Sequence, residues 1–187
     1  MRVLLFFAFV ISASVAQAQA PALPIVLPKP LVADAFQKAD CQVEIDEAIK
    51  DLETIGELSA GLHLVEVSCW RAAYNFGRIL FAVNPKEPGN ARLLRFKTLG
   101  ERGRLIDTYQ LSSPSYDEKT KKLGSAHKGR GVGDCGTVGE WRWGGKDFVL
   151  TRYWNKDACD GEPFDAEEQP DRWLVYPPKQ KQQQKKK

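Results

Sequence analysis

Between residue 31 and about residue 58, hydrophobic positions recur at steps of three and four residues. This spacing is typical of an amphipathic helix that packs one face on the core of its own domain, a role we favour over binding to a partner helix. The pattern predicts one N-terminal helix with its charged face turned to solvent. Its inward positions are Val43, Ile45, Ala48, Ile49, Leu52 and Ile55, and its charged positions are Glu44, Asp46, Glu47, Lys50 and Asp51.

From Leu62 onward the hydrophobic period shortens towards two residues. Residues 62–70 and 77–83 predict two strands, and further strands follow at 92–97 and 104–111 after a Pro- and Gly-containing break. Several short strands joined by turns indicate an antiparallel architecture. The predicted fold class is therefore α+β, mainly antiparallel β with an N-terminal amphipathic helix.

A hairpin is predicted over residues 139–151, because Gly144-Gly145 suits a two-residue turn. This turn would pair Trp143 with Lys146, Arg142 with Asp147, and Trp141 with Phe148. One face of the hairpin would then pack in the core, and the other would be exposed to solvent. The core face carries Trp141, Trp143, Phe148 and Leu150, and the solvent face carries Glu140, Arg142, Asp147 and Thr151.

The two ends of the chain differ from its middle. Residues 1–18 have the charged start, apolar run and Ala16-Gln17-Ala18 ending of a signal peptide, so we expect export and cleavage after Ala18. Cleavage after Ala20 also fits the small-residue pattern, but Pro21 would follow the cut directly. The apolar run is too short for a retained membrane anchor, and we expect no transmembrane segment after signal removal.

Four segments follow from these patterns. Residues 1–18 are the signal peptide, and residues 19–30, with four prolines, form an extended linker. Residues 31–176 make a single globular domain. Residues 177–187 hold lysine, glutamine and proline with no apolar residue to bury, and we expect this tail to be disordered.

Composition and charge narrow the class of protein. The chain has 187 residues, of which 43% are apolar and 27% charged, as in a soluble globular protein. The formal charge of +3 falls to −3 once Arg2 and the five tail lysines are set aside. A slightly acidic body with a basic tail argues against specific nucleic-acid binding, which normally places basic residues on the fold.

The four cysteines are Cys41, Cys69, Cys135 and Cys159, an even number that reads as two disulfides in an exported protein. Four cysteines allow three connectivities, of which we favour the sequential pairs Cys41–Cys69 and Cys135–Cys159. Each bridge would contribute roughly 3–4 kcal/mol in the chain-entropy model. No Cys-x-x-Cys pair exists and neither histidine is grouped with cysteines, so we expect no metal site and no cofactor.

The main candidate binding segment runs from residue 127 to residue 136 and is rich in glycine. Its backbone N–H groups and two cations could hold an anion, with Lys128, Gly129, Arg130, Gly131 and Gly133 as the ligand-binding residues. The alternative is that the glycines serve tight turns and a close backbone approach beside a disulfide. The segment lacks the Gly-Lys-Ser/Thr ending of a phosphate-binding P-loop.

Other candidate residues give weaker signals. His127 lies in a polar loop and could serve as an acid–base group, but no nucleophile is placed beside it. His63 alternates with leucines and suits a structural role in a strand. Tryptophans could form a platform for sugars, although packing is the better expectation for Trp141 and Trp143. The acidic residues Asp160, Glu162, Asp165, Glu167 and Glu168 lack the spacing of a calcium loop and suit a solvated loop.

Several stretches of the chain form one spaced pattern: residues 65–75, Ser115-Tyr116-Asp117, Leu123, residues 128–136, Glu140-Trp141, Gly144-Gly145, residues 148–150 and Cys159. This pattern resembles a family of exported bacterial proteins called domain of unknown function 1176. The likeness runs from about Cys41 to Trp173. The resemblance implies export and supports the two sequential cysteine pairs. It places a small apolar residue at the position of His127, which argues against catalysis there, and it implies no particular activity.

These observations predict an exported envelope protein of a Gram-negative cell that acts by binding rather than catalysis. The expected ligand is an anionic or glycan component of the envelope, held by the Gly-rich segment and nearby aromatic residues. An inhibitor or accessory protein that docks on another exported protein is the alternative, and a hydrolase using His127 ranks last. The basic tail would add weak adhesion to anionic polymers, which salt screens over about 8 Å.

Overall fold

The computed structural model describes residues 24–100, 103–168 and 170–178. Two helices come first, α1 (Lys29–Ala39) and α2 (Ile45–Lys50). The strands described are β1 (Glu53–Ser59), β2 (Leu62–Arg71), β3 (Phe76–Val83), β4 (Arg92–Leu93), β5 (Phe96–Leu99), β6 (Leu105–Thr108), β7 (Gln110–Ser112), β8 (Pro114–Asp117), β9 (Lys122–Lys128), β10 (Gly136–Trp143), β11 (Phe148–Lys156) and β12 (Leu174–Tyr176). A short 3₁₀ helix, Pro88–Asn90, precedes β4.

The single helix predicted over residues 31–58 was wrong. The chain leaves α1 at Asp40, whose φ of 53° is left-handed, and the Cys41 amide bonds back to the Phe36 carbonyl at 3.0 Å. Cys41 is bonded to Cys69 of β2, which redirects the chain before α2 begins. The last part of the predicted helix is strand β1.

All strand pairs described are antiparallel, as the sequence predicted. The first sheet has the order β1-β2-β3-β4, with β7 also paired to β3, and the second has the order β12-β11-β10-β9-β8. Strands β5 and β6 form a separate hairpin. The predicted strands at 92–97 and 104–111 are each divided in two, since β4 and β7 join the first sheet while β5 and β6 pair with each other.

The described chain packs as three layers, with the first sheet in the middle. One face of this sheet packs on the helices, through residues such as Val65 and Phe81 against Val32 and Phe36. Its other face packs on the second sheet, where Leu64 and Leu80 join a cluster with Trp141. Strand β2 is therefore covered on both faces, which explains its unbroken run of six buried residues.

The hairpin formed by β10 and β11 has the predicted faces but not the predicted register. Trp141, Phe148 and Leu150 are buried, as expected, and Trp143 packs partly buried against the same cluster. However, Trp143 pairs with Phe148 and Trp141 with Leu150, around a four-residue connection instead of the two-residue turn. A slip of two residues keeps every side chain on its face, so the hydrophobic pattern does not distinguish the two registers.

The predicted cross-strand pair of Arg142 and Asp147 is also wrong. Arg142 lies opposite Val149. The Asp147 carboxylate instead forms an ion pair with Arg92 of β4 at 2.6 Å, linking the hairpin connection to the first sheet.

Both predicted disulfides are present. Cys41–Cys69 joins the end of α1 to β2, with Cα atoms 4.5 Å apart, and Cys135–Cys159 joins the start of β10 to the segment after β11, at 4.9 Å. The predicted signal peptide and nearly all of the Lys/Gln tail lie outside the described residues. Within the predicted linker, Leu27 is buried against the helices. Among the described helices, none has the length and apolar character needed to cross a membrane.

Candidate functional site

The candidate segment forms the connection between β9 and β10, which we call the Gly-rich loop (residues 128–136). The Gly129 amide donates to the Cys135 carbonyl at 2.8 Å, and the Gly133 amide to the Arg130 carbonyl at 2.9 Å. Gly133 has a φ of 72°, which few other residues tolerate. At Gly136 a Cβ would lie 1.9 Å from the His127 carbonyl oxygen. Two of the loop's amides are thus already bonded, and tight geometry accounts for several of its glycines.

The charges of the Gly-rich loop are largely paired within it. Arg130 donates two hydrogen bonds to Asp134, from Nε at 2.7 Å and from Nη2 at 2.5 Å. Asp134 is buried and also accepts the Gly161 amide at 2.6 Å. The hydrogen bonds from Arg130 hold the pKa of the Asp134 carboxyl well below its usual range. The Arg130 guanidinium is therefore committed to an internal partner, whereas the Lys128 side chain is exposed.

A buried lysine that the sequence reasoning missed fastens the next segment to this loop. The Lys156 ammonium donates to the Asp134 carbonyl at 2.7 Å, to Asp160 Oδ1 at 2.5 Å and to the Glu162 carbonyl at 2.8 Å. The hydrogen bond from Lys156 lowers the pKa of Asp160. Lys156, together with Cys135–Cys159, thus fixes what we call the acidic loop (residues 157–168) beside the Gly-rich loop.

The turn between β2 and β3 reaches the Gly-rich loop from the first sheet. The side chain of Asn75 is buried and bonds twice to the Lys128 backbone, accepting its amide at 2.8 Å and donating to its carbonyl at 2.9 Å. The Tyr74 ring lies against Gly131, 2.8 Å from the position a Cβ would take there, and remains 56% exposed. The fold therefore brings together two of the resemblance stretches, 65–75 and 128–136.

A cleft of about 740 Å³ separates the Gly-rich loop from the acidic loop. We call it the outer cleft. One wall is Tyr74 with the Gly-rich loop, including the 76% exposed Val132. The other wall is the acidic loop, with Phe164 and Asp165. The charged lining residues among those described are Arg130, Asp134 and Asp165, and these three sum to a net negative charge.

The remaining sequence candidates lie elsewhere. Trp141 and Trp154 are buried, and the Trp154 indole N–H donates to the Pro170 carbonyl at 2.7 Å. His63 lies in β2, paired with Val83 of β3. Among the described residues, the closest group of metal-ligand types is Asp134, Cys135 and Cys159, whose two sulfurs are bonded to each other.

His127 has a neighbour that sequence spacing did not indicate. Its Nδ1 lies 3.3 Å from the Ser112 hydroxyl, and its ring meets Trp70 edge to face at 6.4 Å. Nucleophilic catalysis by such a pair also needs a group that orients the histidine. Within the part of the chain that the structure describes, the residues lining the cavity beside His127 include no aspartate or glutamate that could do so.

Comparison with known proteins identifies one matching protein family and one related protein. The family model described as "Protein of unknown function (DUF1176)" matches residues 10–176. The uncharacterized protein YpfG of Escherichia coli (strain K12) is 34% identical over 97 residues, which are 52% of this chain and 28% of that protein. The chain thus spans well under a third of this relative. No solved structure matches.

Proposed function

The chain belongs to the DUF1176 family of proteins of unknown function, and we propose that it is a non-catalytic binding protein of the bacterial envelope whose ligand docks in the outer cleft. The supporting observation is the pairing of Arg130 with the buried Asp134 beside the exposed Tyr74 ring. Such an arrangement holds the walls of the cleft in place before a ligand arrives. Preorganisation of this kind reduces the entropy lost on binding.

The charges of the cleft favour an uncharged glycan over a polyanion. Arg130 is neutralised by Asp134, and the acidic loop adds Asp165 to the lining. A polyanion would meet net negative charge there. A sugar ring can instead place its apolar face on Tyr74 or Phe164 and direct hydroxyls towards the charged planar groups. Lys128, whose exposed side chain lies beside Gly133 of the loop, remains the candidate contact for any anionic substituent.

Export to an oxidising compartment supports this assignment. Two disulfides that bridge all four cysteines suit a protein outside the cytoplasm. The signal-peptide pattern of residues 1–18 points to the periplasm or beyond. A relative in Escherichia coli fits a Gram-negative envelope. The five lysines after residue 178 would add salt-sensitive adhesion that the folded cleft does not need.

Co-sedimentation with purified cell-wall sacculi tests this function. Variants are Tyr74→Ala, Lys128→Ala and a chain ending at Tyr176, with Val149→Ala as an exposed apolar control away from the cleft. We expect binding to persist at high salt and without the tail, and to weaken about tenfold or more in Tyr74→Ala, because the stacking face is lost. Binding that disappears with the tail, or that Tyr74→Ala leaves unchanged, would contradict the proposal.

A protein partner is the second candidate, and one observation favours it. Tyr74 of the turn and Val132 of the Gly-rich loop line the cleft and expose 56% and 76% of their surface, and Phe76 at the start of β3 exposes 48%. Exposed aromatic and aliphatic side chains of this kind are typical of protein-binding sites. A photo-crosslinker at position 132 should then give one discrete protein adduct in the periplasm, whereas the same group at position 149 should give none.

A further inference from the structure

A second cavity, of about 200 Å³, lies between the two sheets and shares no lining residue with the outer cleft. We call it the intersheet pocket. It occurs where the inward-facing residues of β9 and β10 change character along the strands. Leu123 pairs with Trp141, but the next inward rungs are Ser125 with Gly139 and His127 with Thr137. A packed interface would continue with aliphatic residues at these positions, so the change leaves a polar space.

Several hydroxyl groups of this pocket have no partner within the protein. Among the described residues, the side chains of Thr98, Thr137 and Tyr153 form no hydrogen bond, although all three line the cavity. The Ser125 hydroxyl, by contrast, donates to the Ser112 carbonyl at 2.7 Å. Polar groups inside a protein are normally satisfied by protein, water or ligand. These hydroxyls are therefore available to a polar ligand.

Two tryptophans line the pocket and are held in place. Trp70 lies across Gly77 and Trp141 across Gly139, where a Cβ would come within 2.0 and 2.2 Å of the rings. Their indole N–H groups are already used, by the Gln110 side-chain oxygen at 2.6 Å and the Lys97 carbonyl at 2.9 Å. Trp141 is only 1% exposed, so the partly exposed Trp70 is the tryptophan that offers a ligand apolar surface.

Among the described residues, the lining also contains no Asp, Glu, Lys or Arg. Its residues are of aromatic, hydroxyl-bearing, amide, glycine, leucine and histidine types. A charged ligand would lose its hydration there without gaining an opposite charge. The volume lies below the roughly 300–1,000 Å³ of sites for drug-sized ligands, so it suits one small ring.

We propose that the intersheet pocket binds a single neutral polyhydroxylated ring, a sugar unit or a cyclic polyol, between Trp70 and the unpaired hydroxyls. The Trp70 surface receives the C–H face of such a ring, and the hydroxyls bond its rim. This site is separate from the outer cleft and does not depend on the function proposed for it.

Tryptophan fluorescence of the full chain tests the proposal, because Trp70 and Trp141 line the pocket. The neutral probes are glucose, N-acetylglucosamine and myo-inositol; the charged counterparts are glucuronate for glucose and glucosamine for N-acetylglucosamine. We expect a saturable change with at least one neutral probe and none with its charged counterpart. Thr98→Val and Thr137→Val should each weaken that binding about 3- to 10-fold, the effect of one net hydrogen bond.

The controls separate this site from the outer cleft. Thr54→Val removes an exposed threonine hydroxyl of β1 outside the pocket and should leave the affinity unchanged. Tyr74→Ala should likewise leave it unchanged, although it weakens binding to sacculi. Both pocket variants preserve side-chain shape and break no described hydrogen bond, so we expect them to fold. No saturable response to any neutral probe, equal binding of charged probes, or full affinity in the Thr98→Val and Thr137→Val variants would overturn the proposal.

Discussion

Cys41–Cys69 lies beside an apolar layer, whereas Cys135–Cys159 lies among ion pairs and backbone amides. Cys69 is fully buried next to Val67 and the end of α1. Cys159 is exposed, and its sulfur lies within 4.8 Å of the carboxylate of Asp134, which is paired with Arg130. The same covalent link therefore reinforces a hydrophobic core in one region and supplements a polar network in the other. A polar region with little apolar burial depends more on each charged contact.

Removal of each disulfide should measure this difference directly. The loops closed are 28 and 24 residues long, so chain entropy alone gives roughly 3–4 kcal/mol for either. Cys41→Ala/Cys69→Ala should cost more, because both of these cysteines pack in the apolar cluster beside α1, whereas Cys135 is buried outside both hydrophobic clusters and Cys159 is exposed. Urea unfolding of both double variants checks the order. A greater loss from Cys135→Ala/Cys159→Ala would show that the polar region around this disulfide contributes more to stability than the apolar layer beside Cys41–Cys69.

Lys156→Met tests the polar region around Cys135–Cys159 without changing the disulfide. The substitution removes three hydrogen bonds from a lysine that is 4% exposed. We expect a loss of about 1–3 kcal/mol in the free energy of unfolding, since two backbone carbonyls lose their donor. Proteolysis within the acidic loop should also become faster. Lys86→Met, at an exposed site, is the matched control, and equal stability of the two variants would contradict the role given to Lys156.

The two regions should contribute to the free energy of unfolding with opposite dependence on pH. Hydrogen bonds from Arg130 and Lys156 lower the pKa of Asp134 and of Asp160. The stabilisation by these carboxylates is therefore present above about pH 4 and is lost as pH falls through the lowered pKa values. Burial in the first sheet raises the pKa of Glu66, partly offset by Arg78. Its contribution is present below the ordinary value of about 4.3 and is lost as pH rises through the raised one.

Glu66→Gln should therefore stabilise the protein slightly at pH 7 and have no such effect at pH 3. Urea unfolding of the variant and the wild type at both pH values compares their stabilities. Proteolysis of the acidic loop at pH 3 reports on the polar region around Cys135–Cys159. Glu66 Oε1 lies 3.5 Å from Arg78 Nε. A variant less stable than wild type at pH 7 would show that this ion pair outweighs the cost of burial.

The features that sequence could predict were those with a local pattern. The inward face of the β10–β11 hairpin followed from alternation, and its register did not, because a two-residue slip preserves that alternation. The helix was extended too far because the left-handed turn at Asp40 and the bridge at Cys41 interrupt the chain without interrupting the apolar spacing. Periodicity describes one element at a time.

The missed site residues depend on contacts between distant segments. Tyr74 and Asn75 meet the Gly-rich loop across more than 50 positions, and nothing in their local pattern indicates that partner. Lys156 resembles an ordinary strand-end lysine until the acidic loop folds over it. One signal was available, since the resemblance already joined stretch 65–75 to stretch 128–136, and residues that make up one such spaced pattern often share a location.

The two bonds of Asn75 also limit how this position can change by mutation. A carboxamide offers one acceptor and one donor side by side, as a peptide group does, and Lys128 uses both. Aspartate would set a second acceptor against the Lys128 carbonyl, and the longer glutamine would move the matching atoms outward. A lineage would therefore keep asparagine at position 75 for the sake of the backbone alone, with neither a ligand nor a reaction imposing that restriction.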